Sequence, residues 1–506
     1  MSRLRRMPLE IVVFVVGAAS LGTEIAAARL LAPYFGASTI VWANTIAVVL
    51  VALSVGYWLG GRLADRRPDR GGLSALVLLA AAGLAVVPLV ASPFLREAVD
   101  ALNSVSVGAF VGSLLATLVL VAIPVLLLGA VAPYALRLTL ARVEESGRTA
   151  GRLYAISTAG SLAGTFLAAL VLIPLVGTRR TFLTFALALA LVAIPTLRPR
   201  FAVVPAVLAG LLALPVGIVK AAAGGGRVIW EAETEYQYAR VIQYPDAERT
   251  LELNEGLAVH SIFRPGQWLT GDYWDDFLVL GFAASAQPPA RVAILGDAAG
   301  TTARAFGHYF PATAIDAVEL DPVLTSIGRR LFDLRAPRLH TVNGDARPFI
   351  EATSQRYGLI EVDAYRQPYI PFYLTTREFF AATRAHLAPG GVVVVNVGHP
   401  QGSDDLERVL SATMRAVFPV VLRDPVEPTN TLLLGSLQPG AGAAQLAAAA
   451  AGLPLDLRGL ARAAAGRVAP PLGGGEVYTD DRAPVELLVD GTILHYASGG
   501  AQGRRP

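Results

Sequence analysis

Two hydrophobic rhythms divide the chain. Over residues 1–222, apolar runs fall at about 9–32, 39–61, 72–95, 107–136, 153–176, 181–197 and 201–219. A helix needs about 20 such residues to cross a hydrocarbon core about 30 Å thick. The pattern predicts a polytopic α-helical membrane domain of about seven spans over 1–222. The last two runs are short and separated only by Arg198-Pro199-Arg200, so they read either as two spans or as a helical hairpin. Six further runs follow the first, which makes a secretory leader a poor reading of it. Gly151, Gly160 and Gly164 stand near the fifth run, where small residues let helix backbones approach closely.

After Ala221-Ala222-Ala223-Gly224-Gly225-Gly226 the rhythm changes to short strands. Arg240–Tyr244 and Thr250–Leu253, with turns at Pro245-Asp246 and Asn254-Glu255-Gly256, predict a small β unit over 223–280. From Arg291 onward, Val292–Leu295, Ala314–Leu320, Leu339–Val342, Leu359–Val362 and Gly391–Val397 are candidate strands separated by helical patterns. That alternation predicts a doubly wound, mainly parallel α/β domain over 281–500.

Composition sharpens the division. The 506 residues are 54% hydrophobic and 16% charged, with a mean hydropathy of +0.52, whereas soluble domains carry about 25% charged residues. Residues 1–222 hold 18 basic and 8 acidic side chains, and residues 223–506 hold 24 and 31. The net charge of +3 thus conceals a basic apolar half and an acidic polar half. With the N-terminus inside, the inside loops collect Arg3, Arg5, Arg6, Arg62, Arg66, Arg67, Arg70, Arg137, Arg142, Arg148, Arg152, Arg198 and Arg200. Only Arg96, Arg179 and Arg180 fall outside, as the positive-inside rule asks. A multi-pass protein of the cell inner membrane is expected, with the lipid bilayer as partner. Seven full spans put the polar half on the outer face; a re-entrant pass, or a last pair that does not cross, returns it to the cytoplasm.

Cysteine is absent, which removes disulfides, thiolate nucleophiles and Cys-ligated metal centres; no metal is expected. Lys220 is the only lysine, so the polar half has no candidate for a phosphate-binding or Schiff-base lysine. Basic residues flank apolar runs and form no stripe with aromatics, so a nucleic-acid partner is not expected.

Candidate chemistry gathers at the carboxyl ends of the predicted strands, where doubly wound sheets bind ligands. The first strand runs into Gly296-Asp297-Ala298-Ala299-Gly300, a tight turn opening a helix. The second ends in Val318-Glu319-Leu320-Asp321, where Glu319 can accept hydrogen bonds from both hydroxyls of a ribose. The third runs into Asn343-Gly344-Asp345-Ala346, whose carboxylate can face an adenine amino group, and the fourth into Glu361-Val362-Asp363-Ala364-Tyr365. Each acid alone also reads as a solvated loop residue, and Asp363 as a helix cap. All four together point to an adenosine-type ligand. Asp297 inside the Gly-rich turn would repel a pyrophosphate and attract a sulfonium, which favours an S-adenosyl compound over a dinucleotide.

Further motifs stand in order along the polar half: Glu235-Tyr236-Gln237, Gly271-Asp272-Tyr273-Trp274-Asp275, Thr375-Thr376-Arg377-Glu378-Phe379-Phe380, Ala388-Pro389-Gly390-Gly391 and Thr479-Asp480-Asp481-Arg482-Ala483-Pro484-Val485-Glu486. With the strand-end motifs they make residues 231–490 resemble a spermidine synthase (aminopropyltransferase) domain. The whole chain, including Gly151-Arg152-Leu153-Tyr154-Ala155, resembles membrane-fused spermidine synthase-like proteins. The resemblance implies a Rossmann-like domain that binds decarboxylated S-adenosylmethionine and releases methylthioadenosine. It implies that Gln237 and Tyr273 face donor or acceptor, that Glu319 holds the ribose and Asp345 the adenine, with Gly296, Asp297 and Ala346 beside them, and that Asp363 takes the proton of an attacking amine or polyamine. Copies of the chain assembling into a homo-oligomer are compatible with it.

Two departures stand out. Soluble spermidine synthases carry Gly-Gly-Gly-Asp-Gly in the first turn, and Ala299 takes the place of that Asp. They also carry Asp-Ser-Ser-Asp-Pro, and Arg366 takes the place of its second Asp. An S-adenosylmethionine-dependent methyltransferase and a polyamine transporter with a nucleoside-sensing domain are the alternative readings. Glu24, inside the first apolar run with Arg29 near its end, reads as a polar substrate or proton site, or as a structural pair between helices. Gly60-Gly61-Arg62-Leu63-Ala64-Asp65-Arg66-Arg67 resembles the loop between spans two and three of major facilitator transporters.

Overall fold

A computed structural model describes residues 7–35, 39–104, 109–140, 142, 146–196, 199–214, 219–220, 222, 224–254, 258–365, 370–399 and 401–489. Arg3, Arg5, Arg6, Arg198 and Arg366, and positions 221, 223, 255 and 256 of the expected linker and turn, lie outside the described residues. The chain forms two compact units. One comprises residues 1–221, 231–239 and 254–256, the other 222–230, 240–253 and 257–506. Residues 231–239 and 254–256, expected with the small β unit, therefore group with the helices.

The first unit is built from α1 (Leu9–Phe35), α2 (Thr39–Arg66), α3 (Arg70–Ser104), α4 (Ala109–Gly129), α5 (Val131–Thr139), α6 (Ser146–Phe166), α7 (Ile173–Ala193) and α8 (Val203–Ala213). Among the described residues, five stretches are long and apolar enough to cross a membrane: Leu9–Phe35, Val41–Arg66, Arg70–Leu95, Val111–Thr139 and Ser146–Thr196. The last, 51 residues long, covers the fifth and sixth expected spans. It turns at Gly177 (φ 82°, ψ 166°), a conformation open mainly to glycine. Just before the turn, Pro174 offers no N–H to the carbonyl four residues back, and Leu167–Leu172 widen into a π-helix. Residues 215–218 of the expected seventh span lie outside the described residues; a 3₁₀ turn over Pro199–Ala202 leads into α8, whose 11 residues reach about 16 Å. The Gly60–Arg67 motif is not a loop: all but its last residue form the end of α2.

Small residues close the helix seams. A Cβ at Gly160 would strike the Phe14 carbonyl oxygen, and one at Gly164 that of Ala18, so α6 lies directly on α1. Gly56 and Gly60 meet Leu126 and Ala130 in the same way. Gly151, grouped with the packing glycines by sequence, faces open space. Outward faces of this unit are apolar, with Ile123 66% and Leu175 77% exposed. The segment 231–239 is tied to its helices by carboxylates: Glu233 accepts from the N–H of Thr178 at 3.0 Å, and Glu231 from the N–H of Val219 at 3.0 Å.

The chain then forms a four-stranded sheet in the order β1 (Arg227–Glu233), β2 (Tyr238–Gln243), β3 (Arg249–Leu253), β4 (Val259–Phe263). A short helix α9 (Trp274–Leu280) leads to the α/β core. That core alternates β5 (Arg291–Leu295), α10 (Thr301–Tyr309), β6 (Ala314–Glu319), α11 (Pro322–Leu331), β7 (Leu339–Asn343), α12 (Ala346–Ala352), β8 (Tyr357–Val362), α13 (Arg377–Ala385) and β9 (Leu387–Gly398). It closes with α14 (Asp405–Arg415), β10 (Val420–Glu427), β11 (Asn430–Ser436), α15 (Ala443–Ala449) and α16 (Leu455–Arg467). The seven strands lie in the order β10-β11-β9-β8-β5-β6-β7. β5 through β9 are parallel neighbours, and β11 and β10 add an antiparallel edge. All five expected strands form. β10 and β11 are additions to the expected set: they follow one another with no helix between, outside the strand–helix alternation that marks the others. Strand order reverses between β5 and β8, so their carboxyl ends open the crevice where such sheets bind ligands.

Gly160→Leu should separate α1 from α6 and cost about 1–3 kcal/mol, read as a lower thermal midpoint of the full chain in detergent. Gly151→Leu should leave the midpoint unchanged; equal losses in both would mean that the seam does not carry the packing.

Candidate active site

The site is assembled where β5 and β8 end side by side. Gly296, at φ 99°, is the residue that lets them meet: a Cβ there would lie 2.5 Å from the Asp363 carbonyl oxygen. The turn that follows is knitted to β6. The N–H groups of Gly296 and Asp297 donate to the Val318 carbonyl oxygen at 2.9 and 3.1 Å. Glu319, the last residue of β6, accepts from the N–H of Ala298 at 2.9 Å and from that of Asp321 at 2.8 Å. Burial pushes its carboxyl up to about 7 against the pull of those N–H groups. Asp297 is 6% exposed, and its Oδ1 is buried with no hydrogen-bond partner. Burial first, and the Glu319 charge second, hold its carboxyl well above the usual range.

Asp363 extends β8, its N–H donating to the Leu295 carbonyl oxygen at 2.9 Å. Its Oδ2 accepts from Tyr273 Oη at 3.0 Å and Trp274 Nε1 at 3.1 Å, and its Oδ1 from Asn396 Nδ2 at 2.8 Å. The carboxylate is therefore gripped by side chains and caps no helix. Burial raises it to about 6, with the three donors opposing. Asn396 is itself oriented, its Oδ1 accepting from Asn430 Nδ2 at 2.9 Å. Two residues before Asp363, Glu361 is 1% exposed, and its Oε2 has no partner. Burial, then the charges of Asp363 and Asp297, push its carboxyl well up, against one bond from the Thr302 hydroxyl. Four carboxylates thus crowd neighbouring strand ends and the turn between them. Each bond they accept comes from a neutral donor, and among the described residues none of the four forms an ion pair.

At the end of β7, Asp345 caps α12, accepting from the N–H of Arg347 at 2.9 Å and from Tyr373 Oη at 2.7 Å. Ala346 is the buried first residue of that helix. The Gly344 N–H donates to the Glu319 carbonyl oxygen at 3.0 Å, joining this loop to the β6 end. Arg347 is clamped by Asp480 through two bonds of 2.7 and 2.6 Å, so the Thr479–Glu486 motif anchors the Asp345 loop from far along the chain. Tyr273 is presented by a loop wound on Asp275, which accepts from the N–H groups of Thr270 and Gly271 at 2.8 Å each.

The structure brings Gly296, Asp297, Glu319, Asp363 and Tyr273 together, with Asp345 and Ala346 adjoining. Gln237 belongs to the other compact unit, in a turn where its N–H donates to Thr234 Oγ1 at 3.0 Å. Ala299 is fully buried, its N–H donating to Ser261 Oγ at 2.9 Å, so the carboxylate of this turn is Asp297 alone. Trp274, Glu361, Tyr373 and Asn396 join the site without having been assigned a role by sequence. Asn396 does leave a signal, as a lone amide in the run Val392–Val397; a side chain reaching across strands leaves none in local spacing.

Parts of this chain are similar to known proteins. Residues 278–436 match the spermine/spermidine synthase domain family. A probable polyamine aminopropyl transferase of Bifidobacterium longum is 32% identical over 279 residues, covering 51% of this chain and 61% of that protein. Polyamine aminopropyltransferase 2 of Ralstonia nicotianae is 26% identical over 439 residues, covering 78% of this chain and 79% of that protein. The crystal structure of a probable spermidine synthase from Corynebacterium glutamicum aligns at 24% identity and a TM-score of 0.39, over 50% of this chain and 99% of that one. This chain thus spans about three fifths of the length of the Bifidobacterium relative. The family match lies within the polar half of this chain.

Carboxyls raised by burial remain protonated in the folded state after the unfolded chain has released its protons, so each lowers stability as pH rises past its unfolded value. The thermal midpoint should therefore fall between pH 5 and pH 8. Glu361→Gln should remove part of that fall, by at least about 3 °C, because each tenfold change in proton affinity on folding is worth about 1.4 kcal/mol. An unchanged slope would mean that Glu361 is not buried as described.

Proposed function

We propose that this spermine/spermidine synthase domain is an aminopropyltransferase acting on decarboxylated S-adenosylmethionine and an amine, in a chain held in the cell inner membrane by its helical unit. The observation that carries the reading is the cluster of Asp297, Glu319, Glu361 and Asp363, acidic and without ion pairs among the described residues, at the reversal of strand order. Such a pocket favours cations, and this reaction brings two, a sulfonium and an ammonium. In this reading Glu319 receives the ribose hydroxyls and Asp345 the adenine amino group, with Gly296, Asp297 and Ala346 beside them. Tyr273 and Gln237 are assigned to donor or acceptor. The exposed apolar residues of the helices support the membrane assignment, because hydrocarbon leaves such faces no reason to be buried.

The transfer is an in-line displacement. The amine nitrogen attacks the methylene carbon bonded to sulfonium, a C–N bond forms, and the C–S pair returns to sulfur as methylthioadenosine leaves. The amine attacks only with its lone pair free, so a proton must pass to a base. Asp363 suits that role. At about 6 it is ionised at neutral pH yet more basic than a free carboxylate. Tyr273, Trp274 and Asn396 fix its direction, so little reorientation remains at the moment of reaction.

Asp363→Asn should keep methylthioadenosine affinity and lose transfer by about 10²–10⁴-fold, as removal of a general base does. The wild-type rate should fall as pH drops through about 6, where Asp363 takes up a proton, and that limb should vanish in the variant's residual activity. Mass spectrometry with decarboxylated and intact S-adenosylmethionine separates this reading from methyl transfer. Transfer of methyl alone would overturn it.

Glu319→Ala should weaken methylthioadenosine binding at least about tenfold in calorimetry, since a hydrogen bond to a charged group is worth about 1.5–3 kcal/mol. Asp345→Ala should act in the same direction. Unchanged affinity in both would remove the nucleoside site from these strand ends.

A further inference from the structure

The helical unit contains a polar place that the transfer reaction does not use. Glu24 lies 15 residues after the start of α1 and 11 before its end. It is the only acid in the interior of the five long apolar stretches, since Glu10 and Asp65 stand at stretch ends. Those two terminal acids are paired, Glu10 with Arg152 at 3.2 Å and Asp65 with Arg137 at 3.2 Å. Glu24 is in no ion pair among the described residues, and the nearby Arg29 donates to the Glu235 carbonyl oxygen.

Beside Glu24 are two hydroxyls that behave unlike others in the unit. Helical Ser and Thr usually donate to the carbonyl four residues back, and Thr45, Ser54, Thr117, Thr139, Thr165, Thr181 and Thr184 do so here. Ser20 and Thr23 do not. They are 6% and 0% exposed, and both hydroxyl oxygens are buried without a partner. Ser20 stands three residues from Thr23 and four from Glu24, so each of them is its neighbour on the helix surface. An unpaired hydroxyl in an apolar interior is costly, and two of them turned off their own backbone beside an unpaired acid lack a structural explanation.

We propose that Ser20, Thr23 and Glu24 form a binding site for a primary ammonium group within the helical unit. A primary ammonium has three N–H donors and no acceptor. The carboxylate of Glu24 and the hydroxyl oxygens of Ser20 and Thr23 supply three acceptors and the balancing charge. A carboxylate in this setting selects against anions. The site stands on the helical unit alone, whether or not the polar half transfers an aminopropyl group.

The test is calorimetric titration of the full chain in detergent with n-butylamine and with 1,4-diaminobutane. Wild type should show a class of amine sites that Glu24→Gln weakens at least tenfold, with methylthioadenosine affinity unchanged. Ser20→Ala with Thr23→Val should weaken the same class several-fold, while Glu24→Asp should retain it and guard against a folding defect. Glu319→Ala should leave this class in place, which separates it from amine binding in the polar half. Amine binding identical in wild type and Glu24→Gln would overturn the proposal and leave the transferase reading standing. Glu24-dependent binding of sodium that amines do not displace would overturn it in favour of a metal-cation site.

Discussion

Carboxylates held in a low-dielectric setting without basic partners are the constraint around which the polar half is arranged. Charge buried alone is expensive, and a protein normally answers it with Arg or Lys. At the ends of β5, β6 and β8 the answer is different: main-chain N–H groups hold Glu319, and Tyr273, Trp274 and Asn396 hold Asp363. Neutral donors orient these acids without forming ion pairs, and Asp297 and Glu361 each keep an oxygen with no donor at all.

Several arginines among the described residues of the polar half are paired with other acids. Arg240 pairs with buried Glu252, Arg423 with Glu407, and Arg467 with both Asp276 and Asp424. Arg347, on the helix capped by Asp345, is drawn to Asp480. Each pair satisfies an acid away from the crevice and anchors a loop, strand or helix of the polar half. Asp276 shows the cost of crowding: burial and Asp424 raise it to about 7 although Arg467 is bonded to it.

The helical unit satisfies its polar groups by different means. Its backbone is bonded inside helices, seven of its hydroxyls bond to the carbonyl four residues back, and Glu10 and Asp65 at its stretch ends pair with arginines. Glycines bring α1 and α6, and α2 and α4, close enough for direct backbone contact. Against that background the turn from Ser20 to Glu24 is an exception, as the strand-end acids are in the polar half.

The sequence by itself determined the elements. Twenty-residue apolar runs marked the helices, and the five apolar strands and the acids closing them were legible because burial period and strand ends are local properties. The motif order also carried the resemblance to aminopropyltransferases. Only tertiary structure decided what those residues meet. It merged the fifth and sixth expected spans into one stretch bent at Gly177. It placed Trp274 and Asn396 on Asp363, buried Ala299 and left Asp297 to stand alone, and left Ser20 and Thr23 without their usual bonds. These outcomes depend on contacts between residues tens to hundreds of positions apart, and a side chain's partners and burial are fixed by those contacts, not by its neighbours in sequence.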